Sequence, residues 1–406
     1  MSVTTETQTG SFKIVAGQKT SEGPTPNQLQ ETGDYDIHFF EAEDERSEDG
    51  ILRINPNSRA KAKSPAFLPT WDPKEKYGPL EFHRYDDPAL RADTSFPNLF
   101  PKSSENSIAV KNITPKLGSE IRGLQLSQLS KSAKDELALL IAQRGVVVFR
   151  EQDFSEKGPQ YVADFVSHFG KLHIHQSSGH PEGVPELHVT YRRPDEREYE
   201  RRFSDRTHSI FWHSDVAYEL QPPSYTFFTV LEGPNGGGDT LFSDSIEAYE
   251  RLSPAFRKFL SSLHVVQSGI EQANVSKSQG GIERREALAY IHPLVRYHPV
   301  LKKRSIFADP SFSRRIVELK KPESDLLLKF LFDLIGNTQD IQLRANWEQG
   351  TVAIWDNRRV HHSAVVDWEE PVSRHAVRIT PQGERPVEDA KYLNDPNYFP
   401  NPVFRY

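Results

Sequence analysis

A mainly β domain with helices packed on its outside is the fold class that this 406-residue sequence predicts. Three observations carry the prediction. The runs Val146-Val147-Val148-Phe149 and Tyr225-Thr226-Phe227-Phe228-Thr229-Val230-Leu231 are rich in β-branched and aromatic residues and too short for ordinary helices. Thr351-Val352-Ala353-Ile354-Trp355 repeats that pattern late in the chain. Helical spacing is clear in only two places, after Ser132 and from Ser324 to Ile335.

Taken in order, residues 1–65 mix Thr, Glu, Ser, Gly, Pro and Gln with few clustered apolar residues, so they cannot bury enough surface to offset the ordering of the chain and are expected to be disordered. Over residues 66–107, Phe67-Leu68-Pro69-Thr70-Trp71-Asp72-Pro73 and Ser95-Phe96-Pro97-Asn98-Leu99-Phe100-Pro101 interleave aromatics with prolines, which suits an extended arm laid over the core or over a neighbouring subunit. The main domain is expected over 108–384. In it, Ser132-Ala133-Lys134-Asp135 reads as a capping box ahead of Leu137, Leu140 and Ile141, with Gly145 as the stop. The second helix ends at Gly336, and residues 385–406 form a tail. The arginines between 190 and 208, interspersed with acids, read either as a solvated loop or as a lid.

Composition narrows the function. With no cysteine, disulfides, thiolate nucleophiles and cysteine-held zinc or iron–sulfur sites are excluded, and any metal is held by nitrogen and oxygen. A net charge of −7 gives no general attraction to nucleic acid or anionic membrane, and no apolar run is long enough for a membrane span. The start of the chain lacks the basic and apolar stretches of a secretory signal, so the expectation is a cytoplasmic protein acting on a small molecule. A homo-oligomer is compatible with the arm.

His213-Ser214-Asp215 carries the chemistry. On an extended strand, residues two apart share a face, so His213 and Asp215 can meet one ion while Ser214 turns away. A distant histidine, His361 or His362, could complete the set. Two histidines and a carboxylate on one side of an ion leave positions open for co-substrate and oxygen, which suits ferrous iron, although a hydrolytic zinc site can use the same residue types. Arg374 and Arg378, four apart on an expected strand, also share a face, and a guanidinium fork pairs bidentately with a carboxylate.

Together with Gly237-Gly238-Asp239-Thr240-Leu241-Phe242 and Trp355-Asp356-Asn357-Arg358, these residues resemble the taurine dioxygenase family of Fe(II)- and 2-oxoglutarate-dependent enzymes over about residues 108–384, with the nearest likeness to fungal sulfonate dioxygenases. The arm segment Leu68–Pro73 is similar to theirs as well. The resemblance implies a double-stranded β-helix, the cupin-like jelly roll. It implies one Fe(II) per subunit on His213, Asp215 and His362, with 2-oxoglutarate and O2 as co-substrates. It places Thr240 and Arg374 on the 2-oxoglutarate carboxylate, His175 (of Leu172-His173-Ile174-His175) and Arg378 on an anionic substrate group, and Val216, Tyr218 and Phe312 in the pocket wall. The implied reaction hydroxylates a small sulfonate next to sulfur, giving aldehyde, sulfite, succinate and CO2.

The chain also departs from the taurine pattern. Ser178 and Ser209 replace larger groups, and the step from His362 to Arg374 is one residue longer than in the bacterial taurine enzyme. An alkyl sulfate, an aryloxy acid or a biosynthetic intermediate is the alternative substrate, and a non-catalytic jelly-roll binding module is the alternative of another class.

Overall fold

Ten strands build the core of the chain: β1 (Ala109–Asn112), β2 (Ser119–Arg122), β3 (Val146–Phe149), β4 (His188–Arg192), β5 (Tyr225–Glu232), β6 (Thr240–Asp244), β7 (Gln342–Ala345), β8 (Val352–Asp356), β9 (Val360–Ala364) and β10 (Arg374–Ile379). They belong to a computed structural model, which describes residues 45–104, 107–194, 203, 207, 209–278 and 281–400. Seven of them form one sheet in the order β1-β2-β3-β8-β5-β10-β4, and three form a second in the order β7-β6-β9. Every pairing is antiparallel except β2 with β3. From β5 onward the chain passes to the small sheet for β6 and β7, returns for β8, crosses again for β9 and returns for β10. That alternation between two sheets is the jelly-roll winding expected from the resemblance.

The run of four apolar residues in β3 has a direct physical cause. Val146 and Val148 pack with Phe242, Leu343, Ala353 and Trp355 in the layer between the sheets. Val147 and Phe149 point the other way, into a layer with Ile121, Leu137, Ile141, Phe227 and Ile354. A strand covered on both faces needs no polar alternation. The helix Lys131–Arg144 supplies Leu137 and Ile141 to that outer layer. Its N-cap is Ser130, whose side chain accepts from the Ala133 amide at 3.1 Å, so the cap lies two residues before the box read from Ser132. Asp135 instead binds Arg91 (2.7 Å) and His168 (2.8 Å). Gly145 does end the helix, at φ 71°, and the second long helix spans Lys321–Asn337.

Residues 1–44 lie outside the described residues. The expectation of disorder does not hold over 45–65, where Glu45–Arg46 and Leu52–Arg53 form a small antiparallel sheet with Thr70–Trp71 and a short helix spans Pro56–Lys61. Leu52 and Ile54 are buried with Leu68 and Trp71 of the arm, and this apolar contact between distant segments offsets an unfavourable local composition. The arm covers the core of its own chain: the Phe67 carbonyl accepts from His375 on β10 at 3.0 Å. The start of the tail packs as well, with the Tyr297 amide donating to the Val387 carbonyl at 2.7 Å. Among the described residues no helix is long and apolar enough to cross a membrane.

Beneath the turn between β8 and β9 lies a sealed ion network. Arg358 is fully buried and donates to Asp356 at 2.9 and 2.7 Å, to Glu384 at 3.3 Å and to Asp87 of the arm. His298 bonds Asp356 at 3.0 Å and Arg296 bonds Glu384 at 2.8 Å. Burial pushes the Asp356 carboxyl up, but Arg358 and His298 outweigh it and hold it far below the usual carboxylate range.

Candidate metal centre

His213 and His362 exchange both backbone hydrogen bonds, at 3.0 and 2.8 Å, so residue 213 continues the small sheet beside β9 as a single bridge. Asp215 then opens a turn, with Val216 at φ 42°, where the sequence suggested a regular strand. The pair still converges because this turn is clamped. The Asn357 side chain accepts from the Asp215 amide at 2.8 Å and donates to its carbonyl at 3.0 Å, while Ser214 bonds the Asn357 carbonyl at 2.8 Å. Asn357 follows the strand that carries Trp355, so the Trp355–Arg358 motif holds the metal-ligand turn from below. Sequence reading had quoted Asn357 without giving it this role.

The Nε2 atoms of His213 and His362 lie 3.9 and 3.7 Å from Asp215 Oδ1. Ligand atoms of the three residues all fall within 4.8 Å of one another. His213 Nδ1 donates to the Phe211 carbonyl at 2.9 Å, which fixes the tautomer and leaves Nε2 as a lone-pair donor. Asp215 Oδ2 accepts from Thr226 at 2.8 Å, and Arg378 pairs with Oδ1. Burial raises the Asp215 pKa, but Arg378, His362 and His213 outweigh it and bring it down to about 2, so the carboxylate stays charged. Burial and then His213 push His362 well below the ordinary histidine range, leaving it neutral. His361 is buried too and alternates to the other side of β9, which separates the two neighbours that spacing alone left open.

A cavity of about 240 Å³ opens onto this centre. Of the residues predicted for the site, His175, His213, Thr240, His362, Arg374 and Arg378 line it. In register, β6 places Phe242 opposite His362, and Thr240 is two residues along on the same face. Arg374 and Arg378 project from one face of β10. Arg374 is buried, donates to the Gly238 carbonyl at 3.0 Å and lies over the Trp368 ring at 5.4 Å, and no carboxylate among the described residues pairs with it. Burial, then Arg192, lowers its pKa to about 10.

His175 Nδ1 accepts from the amides of Ser177 and Ser178 at 3.3 and 3.1 Å, so its proton sits on Nε2. Burial, followed by His188 and Arg378, pushes its pKa well down, which makes it a neutral donor.

Val216, Tyr218 and Phe312, expected in the wall, bury together with Ala217 and Phe307 in one apolar cluster, and none of them is among the residues that line the cavity. The wall is instead made by residues that sequence reading missed, among them Trp71, His188, Tyr191 and Gln272. His188, Tyr191 and Gln272 belong to no motif, and Trp71 lies in the arm segment Leu68–Pro73, whose resemblance to fungal sulfonate dioxygenases carries no signal of where the fold will deliver it. Ser178 lines the cavity, whereas Ser209 is engaged by the Val366 amide at 3.0 Å. The stretch 190–208, read as a solvated loop or a lid, falls mostly outside the described residues, although Arg192 lines the cavity.

Comparison with known proteins agrees with this geometry. An alpha-ketoglutarate-dependent sulfonate dioxygenase of Saccharomyces cerevisiae is 62% identical over 369 residues, covering 91% of this chain and 90% of the relative. An alpha-ketoglutarate-dependent dioxygenase of Penicillium expansum is 39% identical, over 86% of this chain and 94% of the relative. The crystal structure of a taurine dioxygenase from Burkholderia xenovorans superposes with a TM-score of 0.56 at 29% identity, covering 69% of this chain and 93% of that one. The family profile described as taurine catabolism dioxygenase TauD, TfdA matches residues 109–380, and the chain belongs to that dioxygenase family.

Proposed function

We propose that the protein is an Fe(II)- and 2-oxoglutarate-dependent dioxygenase that hydroxylates a small sulfonate at the carbon bearing sulfur. The observation that carries this reading is the convergence of two histidines on the cavity with the carboxylate of Asp215 behind them, beside a buried guanidinium on the same cavity that pairs with no carboxylate among the described residues. A buried cation without a counter-charge is costly, and a ligand carboxylate offsets that cost.

The donor set fits a divalent ion. Donors side by side on one ion at bonds of about 2.1 Å lie about 3 Å apart, so the histidine-to-aspartate separations of 3.9 and 3.7 Å would need to close by only about 1 Å or less around it. Nitrogen and carboxylate donors with no sulfur suit non-haem iron. When bound, Fe(II) would couple the reduction of O2 to decarboxylation of 2-oxoglutarate and oxidation of a substrate C–H bond. The protein supplies position and dryness. His213, Asp215 and His362 hold the metal, and Arg374 with Thr240 grips the far carboxylate of 2-oxoglutarate. The His175 Nε2–H and the Arg378 guanidinium, both on the cavity, offer donors to the substrate anion. Hydroxylation at the carbon bearing sulfur gives a carbinol that loses sulfite to leave an aldehyde, with succinate and CO2 as the co-products.

The relative from Saccharomyces cerevisiae, named for sulfonates and 62% identical, supports the choice of head group. Succinate formation and sulfite release, followed over matched sulfonates, sulfates and carboxylates, test it. Stoichiometric sulfite with sulfonates alone is the expected result. Turnover that responds only to another head group would move the assignment to that substrate.

A further inference from the structure

The family profile begins at residue 109, yet part of the cavity wall comes from residues 69 and 71. The arm is fastened there by several independent contacts. Thr70 forms a backbone bridge with His180, at 2.7 and 3.3 Å, and its hydroxyl donates to the His180 carbonyl at 3.0 Å. Glu75 accepts from His180 at 2.8 Å and lies 3.3 Å from Arg284, whose side chain in turn donates to the Ser178 carbonyl at 2.9 Å. The Tyr77 amide bonds the Arg284 carbonyl at 2.8 Å. On the inner side, Trp71 is buried against Leu52, Ile54 and Leu68, with Tyr191 packed on the group.

Gly179 makes this approach possible. A Cβ at that position would fall 2.6 Å from the Trp71 ring and 2.8 Å from Pro69, so any side chain there would push the arm away. Ser177 and Ser178, just before it, line the same cavity with His175. The indole therefore borders the space beside the proposed anion donors, where a substrate tail would lie. No aspartate or glutamate among the described residues lines that cavity, and Pro69, Trp71 and Val189 give its wall an apolar patch.

We propose that Trp71, carried into the cavity by an arm outside the catalytic domain, is a specificity-determining residue that packs against the substrate tail and selects longer apolar tails over short ones. This rests on the dioxygenase reading above. The head group is held by residues of the core domain, and the tail is measured by the arm. The anchor for 2-oxoglutarate, Arg374, lies on β10 and receives nothing from Trp71, so co-substrate binding is independent of it.

The test compares the full-length enzyme with Trp71→Ala, Trp71→Leu and Gly179→Ala on sulfonates of increasing tail length, ethanesulfonate to hexanesulfonate, and on the sulfates with the same tails. Trp71→Ala is expected to lower kcat/KM for the longest tail by about tenfold or more relative to the shortest, as loss of an apolar pocket contact does. The KM for 2-oxoglutarate should stay within about twofold. Gly179→Ala should reproduce the loss by displacing the indole, and the double variant should add little to it. If Trp71→Ala does not fold, Trp71→Leu keeps an apolar residue in the cluster and the comparison is made with it. Equal losses for short and long tails, no loss in any variant, or a raised KM for 2-oxoglutarate would overturn the proposal. Head-group dependence reports separately on the sulfonate reading: turnover of sulfates alone would overturn that reading, while their tail-length dependence would still decide the role of Trp71.

Discussion

Two buried arginines sixteen residues apart in sequence meet opposite treatment. Arg358, below the β8–β9 turn, is surrounded by Asp356, Asp87 and Glu384 and lies 4.9 Å from the Tyr225 ring. Arg374, on the cavity, has a carbonyl, an aromatic face and the repulsion of Arg192. Both guanidiniums have lost water, so the difference lies in what replaces it. A fold that only needed a stable interior would treat both alike. In the sealed region each guanidinium is paired with carboxylates of the fold, whereas the cavity leaves Arg374 without one among the described residues, beside two histidines and a carboxylate that can meet one ion.

Substitutions that exchange the expected outcomes of these regions would break the comparison. The largest effect belongs to the metal ligands: His213→Ala or Asp215→Ala should reduce substrate-dependent succinate formation to background. His213→Ala should keep a thermal midpoint near that of the wild type, whereas Asp215→Ala also removes the carboxylate that pairs with Arg378 and should lower it. A large loss of stability in His213→Ala would mean that this ligand is part of the core. Next comes Asp356→Ala, which removes hydrogen bonds from buried Arg358 and His298 while Asp87 and Glu384 stay on the guanidinium, and should cost about 1.5–3 kcal/mol in urea denaturation. It tests the sealed region, and an unchanged midpoint would contradict the account of that network.

Arg374→Met separates the two regions most sharply. It should raise the KM for 2-oxoglutarate by roughly ten- to a hundredfold, the loss of a charge-assisted pair worth about 1.5–3 kcal/mol, while folding stability is unchanged or increased. A normal KM would transfer the anchor role to Arg378. The smallest effect is a pH dependence. Burial, partly offset by a bond to the Glu219 carbonyl, lowers His292 to about 3. Below its ordinary value near 6.5 the unfolded chain takes up a proton that the fold refuses, so stability falls as pH drops through the window from 6.5 toward 3 and is level above it. Between pH 7 and pH 5 this one group accounts for about 2 kcal/mol, and His292→Asn should flatten the slope of denaturation midpoint against pH by about one proton.

The strands and the metal triad were legible because period, residue type and motif all point the same way at β3, β5 and β8 and at His213, Asp215 and His362. A bridge and a clamped turn, with Asn357 at its centre, bring His213 and Asp215 together where the spacing predicts a continuous strand. Val216, Tyr218 and Phe312 show the limit of residue type, since an apolar side chain serves a pocket wall or a core equally well until the packing is known. Trp71 shows the limit of sequence distance. Its place depends on a glycine 108 residues away, and neither residue carries a sign of the other.

The central claim is that the triad and Arg374 together form one site for a divalent metal chelated by 2-oxoglutarate. Anaerobic titration of the full-length protein with Fe(II) and 2-oxoglutarate, followed by visible absorption, tests it directly. A weak charge-transfer band should appear only when both are present, vanish in Asp215→Ala, and require more 2-oxoglutarate in Arg374→Met. A folded wild-type protein that binds neither, or a band that persists without Asp215, would contradict the account.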